Sequence, residues 1–168
     1  MLKDERILSL LIILILLTAS LAVPGAVLAT GQDQSDSEVM TLPDLETSGV
    51  IRVDSDDELA AVSDSGSGTV ADPYVIENKR IDASGQGAGI YVRNTTKALI
   101  IRNCWVSNAV YVDPNWGPGA NIMVYSDGPC VIEDNRCDNT SGDGMKLAIS
   151  NSRISNNTIW GTHNGMNL

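Results

Sequence analysis

From residue 76 onward, apolar and polar positions recur in one short sequence phrase. The phrase opens with isoleucine, continues with mostly polar residues and returns to an apolar side chain; its four copies are Ile76–Ile81, Ile101–Val106, Ile132–Cys137 and Ile154–Ile159. The copies begin 25, 31 and 22 residues apart. A repeat of this period predicts a solenoid, in which stacked repeats share one core.

A weaker apolar phrase follows each copy, at Ile90–Val92, Ile122–Val124, Met145–Leu147 and Met166–Leu168. Ile, Val, Thr and Trp dominate the repeated segments while Asn, Asp and Gly separate them, which is typical of short strands joined by turns. No helical period extends beyond one short segment. Because about three short strands and their turns fit into one repeat, the pattern predicts an all-β parallel β-helix of about four coils.

Equivalent side chains of successive coils should stack in columns that point into the core. The two expected columns are Ile76, Ile101, Ile132 and Ile154, and Ile81, Val106, Cys137 and Ile159. Between these columns we expect Asn135 and Asn157 to stack at a turn, because Asn tolerates left-handed backbone and its amides can form a ladder. Lys79 and Cys104 hold this position in the first two repeats, so the ladder should be incomplete there.

Residues 1–29 are expected to direct secretion. A charged start precedes an almost wholly apolar run over residues 7–23, and Val27–Ala29 offers small residues for cleavage after Ala29, which is the pattern of a signal peptide. The alternative is an uncleaved anchor, since the run is near the shortest that crosses a bilayer. Such an anchor would be the only expected association with a membrane. Residues 30–48 are acidic and poor in large apolar side chains, which predicts a disordered tether.

Residues 49–72 are expected to place one strand and one helix ahead of the coils. Ser55, three residues before Glu58, forms a capping box that predicts a short helix through Val62. This helix would cover the open apolar end of the first coil, as the terminal repeats of solenoids require. The coils themselves would occupy residues 73–168.

Charge and cysteine content limit the partners and the cross-links. The formal net charge of -10 repels phosphate backbones, so we expect no nucleic-acid partner. The cysteines are Cys104, Cys130 and Cys137. Burial as free thiols and a Cys104–Cys137 bridge between neighbouring coils both fit the repeat. Their spacing does not resemble a zinc site.

Several segments resemble the opening of a known group of solenoid proteins. Gly66–Thr69, Asp72–Ile76 and Gly89–Tyr91, with the repeated Ile-x-x-Asn-x-Ile phrase, are similar to right-handed parallel β-helix proteins of the NosD-like and pectin-lyase-like groups. The resemblance implies a single-stranded right-handed β-helix on a secreted or cell-surface protein, as is common in archaea. It also implies that the chain stops inside a coil, as a truncated member would. The open C-terminal edge of such a member can associate edge to edge with another copy.

Outward positions of the strands are where a ligand would bind. Alternation turns two neighbouring columns away from the core, namely Arg80, Trp105, Arg136 and Thr158, and Asp82, Ser107, Asp138 and Trp160. An inserted loop adds Tyr111, Asp113, Asn115 and Trp116. Indole faces flanked by Arg and Asp are typical of sugar recognition, so we expect a polysaccharide or a cell-surface glycan to bind here. The expected contact residues are Arg80, Trp105, Arg136, Asp138, Tyr111, Trp116 and Trp160. The alternative is that these residues are ordinary cross-strand pairs that cover the sheet.

The same face offers two weak candidates for catalysis. β-Helix proteins resembling pectate lyases and polygalacturonases place acidic residues on such a surface. Asp82 and Asp138 should lie two coils apart, about 9–10 Å by strand spacing, which is the upper limit for the carboxyl pair of an inverting glycosidase. Ser107 stands between them and no Lys or His joins them as a proton carrier. A fragment of a polysaccharide-degrading enzyme is therefore the alternative to a binding or structural surface module.

Metal ions have little support in the sequence, and no cofactor is expected. The NosD-like resemblance suggests copper, which favours clustered Cys, Met and His. However, His163 is the only histidine, and Met123, Met145 and Met166 fall at strand positions expected in the core. Calcium is the one ion with candidate ligands, which are Asp54, Asp56, Asp57 and Glu58, or Asp134, Asp138 and Asp143. Helix capping and turn formation explain the same residues.

Glycosylation signals occur at three asparagines. Asn94 and Asn139 begin Asn-x-Thr/Ser sequences in predicted turns and are expected to be accessible acceptors. Asn156 flanks the expected ladder and is less suited to carry a glycan.

Overall fold

Three parallel β-sheets form the body of the protein, which a computed structural model describes over residues 44–111 and 119–168. The strands of these residues are β1 Glu46–Ser48, β2 Ile51–Val53, β3 Tyr74–Glu77, β4 Lys79–Asp82, β5 Ala88–Thr95, β6 Leu99–Arg102, β7 Trp105–Ser107, β8 Ala120–Ser126, β9 Cys130–Glu133, β10 Arg136–Asp138, β11 Asp143–Ile149, β12 Arg153–Ser155, β13 Thr158–Trp160 and β14 Asn164–Asn167. A helix, α1, spans Asp56–Val62. Within the described ranges, no helix is long and apolar enough to cross a membrane.

Successive strands wind from one sheet to the next, so each sheet contains every third strand. Sheet 1 has the order β1-β4-β7-β10-β13, sheet 2 the order β14-β11-β8-β5-β2, and sheet 3 the order β12-β9-β6-β3. Neighbouring strands in all three sheets pair in parallel. One coil is a set of three strands such as β3-β4-β5, and four such sets follow β1 and β2. The predicted parallel β-helix is therefore confirmed.

The register of the strands also confirms the inward columns. Ile76, Ile101, Ile132 and Ile154 are aligned across sheet 3, and Ile81, Val106, Cys137 and Ile159 across sheet 1. Each fully buried Ile contributes about 1.5–3 kcal/mol by leaving water. Burial decreases in the last described coil, where Ile154 and Ile159 are only half-buried.

A left-handed residue begins the turn from sheet 3 to sheet 1 in every coil. These residues are Asn78, Asn103, Asp134 and Asn156, with φ of 57, 51, 55 and 55°. The prediction that Asn135 and Asn157 hold the left-handed backbone is wrong by one residue. Asn and Asp accept this conformation more readily than other side chains, because their short polar groups bond locally.

Asn135 and Asn157 form the expected amide ladder. Nδ2 of Asn135 donates to Oδ1 of Asn157 at 3.0 Å and to the carbonyl of Ile101 at 2.9 Å, while Oδ1 of Asn135 accepts from the N–H of Cys104 at 3.0 Å. Asn157 repeats the arrangement, donating to the carbonyl of Ile132 at 2.8 Å and accepting from the N–H of Asn135 at 3.0 Å. Because Asn135 is buried, its amide satisfies backbone groups that water does not reach.

The first two coils fill the same position with other side chains. Nζ of Lys79 lies 2.7 Å from Asp64 and 2.8 Å from Glu46. The hydrogen bonds to Asp64 and Glu46 raise the pKa of Lys79 above its ordinary value. Sγ of Cys104 lies 3.3 Å from the carbonyl of Arg102. The expected gap in the ladder is therefore present.

The helix α1 covers the start of the coils, as its capping box predicts. The backbone N–H of Glu58 donates to Oγ of Ser55 at 3.2 Å, while the Glu58 carboxylate accepts from the N–H of Asp54 at 2.6 Å. Leu59 is fully buried among the core residues, and α1 packs against β2, β3 and β5. The helix thus shields the first apolar rung from solvent.

Glu46–Ser48 correct the predicted boundary of the tether at residues 30–48. They form β1, which pairs in parallel with β4 and sets Glu46 opposite Lys79. The pairing supplies hydrogen-bond partners for backbone groups at the edge of sheet 1. Composition alone does not reveal such a strand. The expected signal segment at residues 1–29 and the tether residues 30–43 lie outside the described residues.

The cysteines are buried free thiols, and Cys104 and Cys137 are not bridged. Burial raises the pKa of Cys104 to about 11 and also raises the pKa values of Cys130 and Cys137. Thiolates are the reactive form, so these side chains act as small apolar groups at neutral pH.

The methionines of the strand phrase do not all face the core. Met145 is buried in the core and Met166 packs against it, as expected. Met123 differs: it lies on the outer side of sheet 2 and packs with Tyr91, because its neighbour Ile122 takes the inward position.

Candidate functional site

Sheet 1 carries the residues that the sequence pattern places on the outer surface. Its register aligns Arg80, Trp105, Arg136 and Thr158 in one column and Asp82, Ser107, Asp138 and Trp160 in the next. Both predicted columns are confirmed as neighbours. Val106 and Cys137, which alternate with them, are fully buried, so the flanking positions face away from the core.

Cation–π contacts join four of these residues into one stack. The guanidinium carbon of Arg80 lies 4.5 Å from the ring centre of Trp105, and that of Arg136 lies 4.2 Å from it. Arg136 also lies 3.9 Å from the ring centre of Trp160, which leans over from the neighbouring column. We call Arg80, Trp105, Arg136 and Trp160 the Trp/Arg stack. Each contact contributes about 0.5–2 kcal/mol.

Asp138 fixes the stack in place. Nε1 of Trp105 donates to its two carboxylate oxygens at 3.1 and 3.2 Å, and Nη2 of Arg136 lies 3.4 Å from the second oxygen. Only 8% of Asp138 is exposed, so these donors replace the water that would otherwise surround its charge. The carboxylate therefore orients one indole and one guanidinium.

The outer end of the stack is open to solvent while its centre is closed. Trp160 is 39% exposed and Arg80 is exposed as well. In contrast, Nε of Arg136 is buried and has no hydrogen-bond partner among the described residues. An unpaired buried N–H costs about 1–3 kcal/mol. The Arg136 guanidinium therefore keeps its position between the two indoles at the expense of one hydrogen bond.

A polar cleft adjoins the stack at the turn that follows sheet 1. Its volume is about 550 Å³, and its lining residues are Ser84, Gly85, Asn108, Val110, Asn139, Thr140 and Ser141. Asn108 and Asn139 follow Ser107 and Asp138 directly in the sequence, which places the cleft beside the outward columns. The volume falls within the range of small-molecule sites, about 300–1,000 Å³.

A line of hydrogen bonds runs along the cleft from coil to coil. Nδ2 of Asn139 donates to Oδ1 of Asn108 at 2.6 Å, and Nδ2 of Asn108 donates to Asp82 at 2.9 Å. Asp82 also accepts from Oγ and the N–H of Ser84 at 2.7 and 3.0 Å. The hydrogen bonds from Ser84 and Asn108 lower the pKa of Asp82.

The two candidate catalytic carboxyl groups both accept hydrogen bonds from neighbouring side chains. A general acid needs a raised pKa, whereas the pKa of Asp82 is lowered by its hydrogen bonds. Asp138 is held by Trp105 and Arg136. The register places Asp82 and Asp138 two coils apart with Ser107 between them. Asp82 thus lacks the raised pKa that marks a general acid.

The remaining expected contact residues come from the inserted loop. Tyr111 is 52% exposed and follows Val110, a residue of the cleft wall. Trp116, together with Asp113 and Asn115, lies outside the described residues. Of the four loop residues expected at the site, Tyr111 is therefore the one that lies within the described residues.

Both expected glycosylation acceptors are exposed and have left-handed backbone. Asn94 has φ of 54° and lies at an irregularity of β5 between Arg93 and Thr95, whereas Asn139 has φ of 52° and lies after β10. Because the Asn139 amide lines the cleft, a glycan on this residue would occupy the cleft rim. A glycan on Asn94 would lie away from the cleft lining.

Carboxylates near α1, candidate calcium ligands by sequence, are bonded to protein groups. Asp54 accepts from Arg52 at 3.1 Å and from Arg93, and the Arg93 hydrogen bond lowers the pKa of Asp54. Asp56 accepts from Oγ1 and the N–H of Thr96 at 2.7 and 2.8 Å. Over residues 44–111 and 119–168, no group of three or more His, Cys, Asp and Glu side chains is arranged to hold a metal ion.

The sequence pattern alone does not reveal the cleft. In the sequence, Asn108 lies just ahead of the inserted loop, and Asn139 begins a glycosylation signal. A further signal is nevertheless present, since Asn108, Asn139 and Gly161 each follow the repeated phrase at the same place and share positive φ values of 65, 52 and 61°. A column of Asn and Gly marks a left-handed turn, and stacked turns can bound a groove.

Comparison with the sequence profiles of protein families supports the same architecture. The profile of the family described as "Right handed beta helix region" matches residues 51–168. No curated protein and no solved structure matches the chain. The profile match covers all four coils and therefore bears on the fold.

Proposed function

We propose that this chain, which belongs to the right-handed β-helix family, is an extracytoplasmic module that binds carbohydrate on sheet 1. The observation that carries the proposal is the Trp/Arg stack, which ends in the exposed ring of Trp160 and adjoins a polar cleft. The apolar segment and cleavage pattern within residues 1–29 support a location outside the cytoplasm.

The stack and the cleft supply the two kinds of contact that sugars need together. The C–H face of a sugar ring packs against an indole such as Trp160, and its hydroxyl groups require donors and acceptors. Asn139 and Ser141, exposed in the cleft lining, offer both, and the guanidinium of Arg80 adds a fork of donors. The stack runs across four strands, about 14 Å by strand spacing, which suits an oligosaccharide better than a single sugar.

Pre-organisation also supports a binding role. Asp138 holds Trp105 through two hydrogen bonds, and Arg136 holds both indoles by cation–π contact. Side chains that are already ordered lose little conformational entropy when a ligand binds. The competing explanation is that the stack only covers sheet 1, and the experiment must separate the two.

Affinity electrophoresis of the wild-type protein through gels containing xylan, mannan, alginate or polygalacturonate tests the proposal. We expect retardation in at least one gel and a loss of about tenfold or more in affinity for Trp160→Ala, since stacking contributes about 1.5 kcal/mol. Trp160 is exposed on β13, so thermal unfolding should change little. Arg153→Ala, an exposed change on sheet 3, is the matched control and should bind normally.

Three results would contradict binding by the stack. Wild-type protein that migrates freely in every gel would overturn the proposal. Equal retardation of Trp160→Ala would place the binding elsewhere. Release of oligosaccharides by the wild type but not by Asp138→Asn would replace binding with degradation as the function.

A further inference from the structure

The outer side of sheet 2 brings a lysine and an asparagine together in the last two described coils. Lys146 on β11 is the register partner of Asn167 on β14. Met145 and Met166, the preceding pair, pack in the core, so alternation turns Lys146 and Asn167 outward on the same side. Neighbouring strands are about 4.8 Å apart, and a lysine side chain is long enough to reach a carboxamide across that distance.

The surroundings of Lys146 are partly apolar. The preceding residue in its column is Met123, which is buried against Tyr91. Lys146 is half-buried, so neighbouring side chains cover part of its stem. Among the described residues, Lys146 takes part in no ion pair.

A buried carboxyl group completes the cluster. Asp143 is 0% exposed and accepts from Nδ2 of Asn164 at 2.7 Å and from Nδ2 of Asn167 at 3.3 Å. It forms no ion pair within the described part of the chain. Burying a carboxylate without a cation is costly. The hydrogen bond to Asn167 places Asp143 at the carboxamide of the residue that is the register partner of Lys146.

We propose that Lys146 and Asn167 form an isopeptide bond that cross-links the two coils, with Asp143 as the acid–base group. When the flexible stem of Lys146 brings Nζ to Asp143, the ammonium gives a proton to the carboxylate, and the free amine attacks Cγ of Asn167. The Nζ–Cγ bond forms and the Cγ–Nδ2 bond breaks. Asp143 returns its proton to the leaving nitrogen and takes up the proton that the attacking nitrogen sheds, so that one ammonia molecule is released.

The reaction exchanges one amide for another, so it needs no oxidant, reductant or further reactant. Asn167 is exposed, which gives the ammonia a path to solvent. The product ties β14, an end strand of sheet 2, to β11. Ile154 and Ile159 of the same coil are only half-buried. A covalent link would therefore add stability to the coil whose apolar packing is weakest.

Mass spectrometry of the intact protein tests the cross-link directly. The wild-type mass should be lower by one ammonia molecule than the mass calculated for the same polypeptide without the cross-link. Trypsin should leave Lys146 uncut, because its amine is blocked, and should yield one branched peptide in which residues 137–153 are joined to residues 154–168. Lys146→Arg keeps the charge and should restore the full mass. Lys97→Arg, at an exposed lysine outside the cluster, should retain the ammonia loss.

Two outcomes would overturn the proposal. One is the mass calculated for the polypeptide without the cross-link in folded wild-type protein after prolonged incubation at neutral pH. The other is an ammonia loss that persists in Lys146→Arg and maps to Asn164–Gly165, which would identify a succinimide at that Asn-Gly sequence. Asp143→Asn tests the acid–base role separately: cross-linking at least a hundredfold slower supports the role, and an unchanged rate excludes it. If Asp143→Asn fails to fold, the comparison of wild type with Lys146→Arg still decides whether the bond exists.

Discussion

The turn from sheet 3 to sheet 1 is built from charged groups in the first coil and from amides in the last two described coils. Lys79 binds Asp64 and Glu46, whereas Asn135 and Asn157 bond to each other and to the backbone. The difference follows from the neighbours. The first coil adjoins β1 and the segment after α1, which supply the carboxylates of Glu46 and Asp64. The third and fourth coils adjoin each other, and each supplies an asparagine amide. One position can thus hold unlike side chains, provided that each finds a partner next to it.

The largest expected effect comes from breaking the ladder at its centre. Asn135→Ala leaves the N–H of Cys104 and the carbonyl of Ile101 without their partner in the core, at about 1–3 kcal/mol each. We expect the free energy of unfolding to fall by about 2–5 kcal/mol in urea titrations. Asn157→Ala is the control and should cost less, because Asn157 is only half-buried. Equal losses would contradict the role given to burial.

Extending the ladder into the second coil should stabilise the protein by about 0.5–1.5 kcal/mol. In Cys104→Asn the new amide can donate to the carbonyl of Ile76, as Asn135 donates to that of Ile101. Thermal unfolding of Cys104→Asn and Cys104→Ala should be compared. The prediction is wrong if the asparagine variant melts below the alanine variant.

The ion pairs of the first coil should matter less than the ladder. Lys79→Met removes two contacts whose carboxylate partners are partly exposed, so we expect a loss of about 1 kcal/mol or less. The loss should shrink further in high salt, because salt screens exposed charges. Urea titrations at low and high salt measure both quantities. A loss as large as that of Asn135→Ala would remove the distinction between the two regions.

Acid should loosen the contact between α1 and the turn after β5. Burial raises the pKa of Asp56, but hydrogen bonds from Thr96 and Lys97 outweigh it, so the folded-state pKa lies below the ordinary value of 3.8. A carboxyl group of this kind contributes its full stability above pH 3.8 and loses it as the pH falls through the folded-state pKa. The NMR amide signal of Thr96 should therefore shift below pH 3.8, while that of Asn135 should not.

Replacing Asp56 provides the matched control for the acid effect. Asp56→Asn should abolish the titration seen at Thr96, since the new side chain carries no carboxyl group. A shift that persists in this variant would assign the titration to another carboxyl group.

Pattern reasoning recovers what repeats along the chain. The isoleucine columns recur in four copies, and alternation along the strands is then enough to assign Trp105 and Arg136 to the outer surface. The capping box at Ser55 is equally local, because its residues lie within one helical turn. These features depend on sequence neighbours or on the period, and both are visible in the sequence.

Features made by distant partners are not visible in this way. The three residues of β1 have too little local signal, and they are ordered by pairing with β4. The cleft depends on the hydrogen bond between Asn108 and Asn139, which are 31 residues apart. The bond from Trp105 to Asp138 depends on side-chain rotamers that no periodicity specifies.

The left-handed Asn or Asp at the start of each turn has a consequence for how such a protein evolves. Because every coil enters this turn with the same backbone geometry, a gene segment encoding one coil can be duplicated or deleted in frame while the flanking coils still meet in register. Length differences between copies, which begin 25, 31 and 22 residues apart, are then confined to other turns. Each duplication or deletion would change the free energy of unfolding by the contribution of one coil and its interface with a neighbouring coil. Coil number is thus a heritable quantity that selection can adjust without redesigning the core.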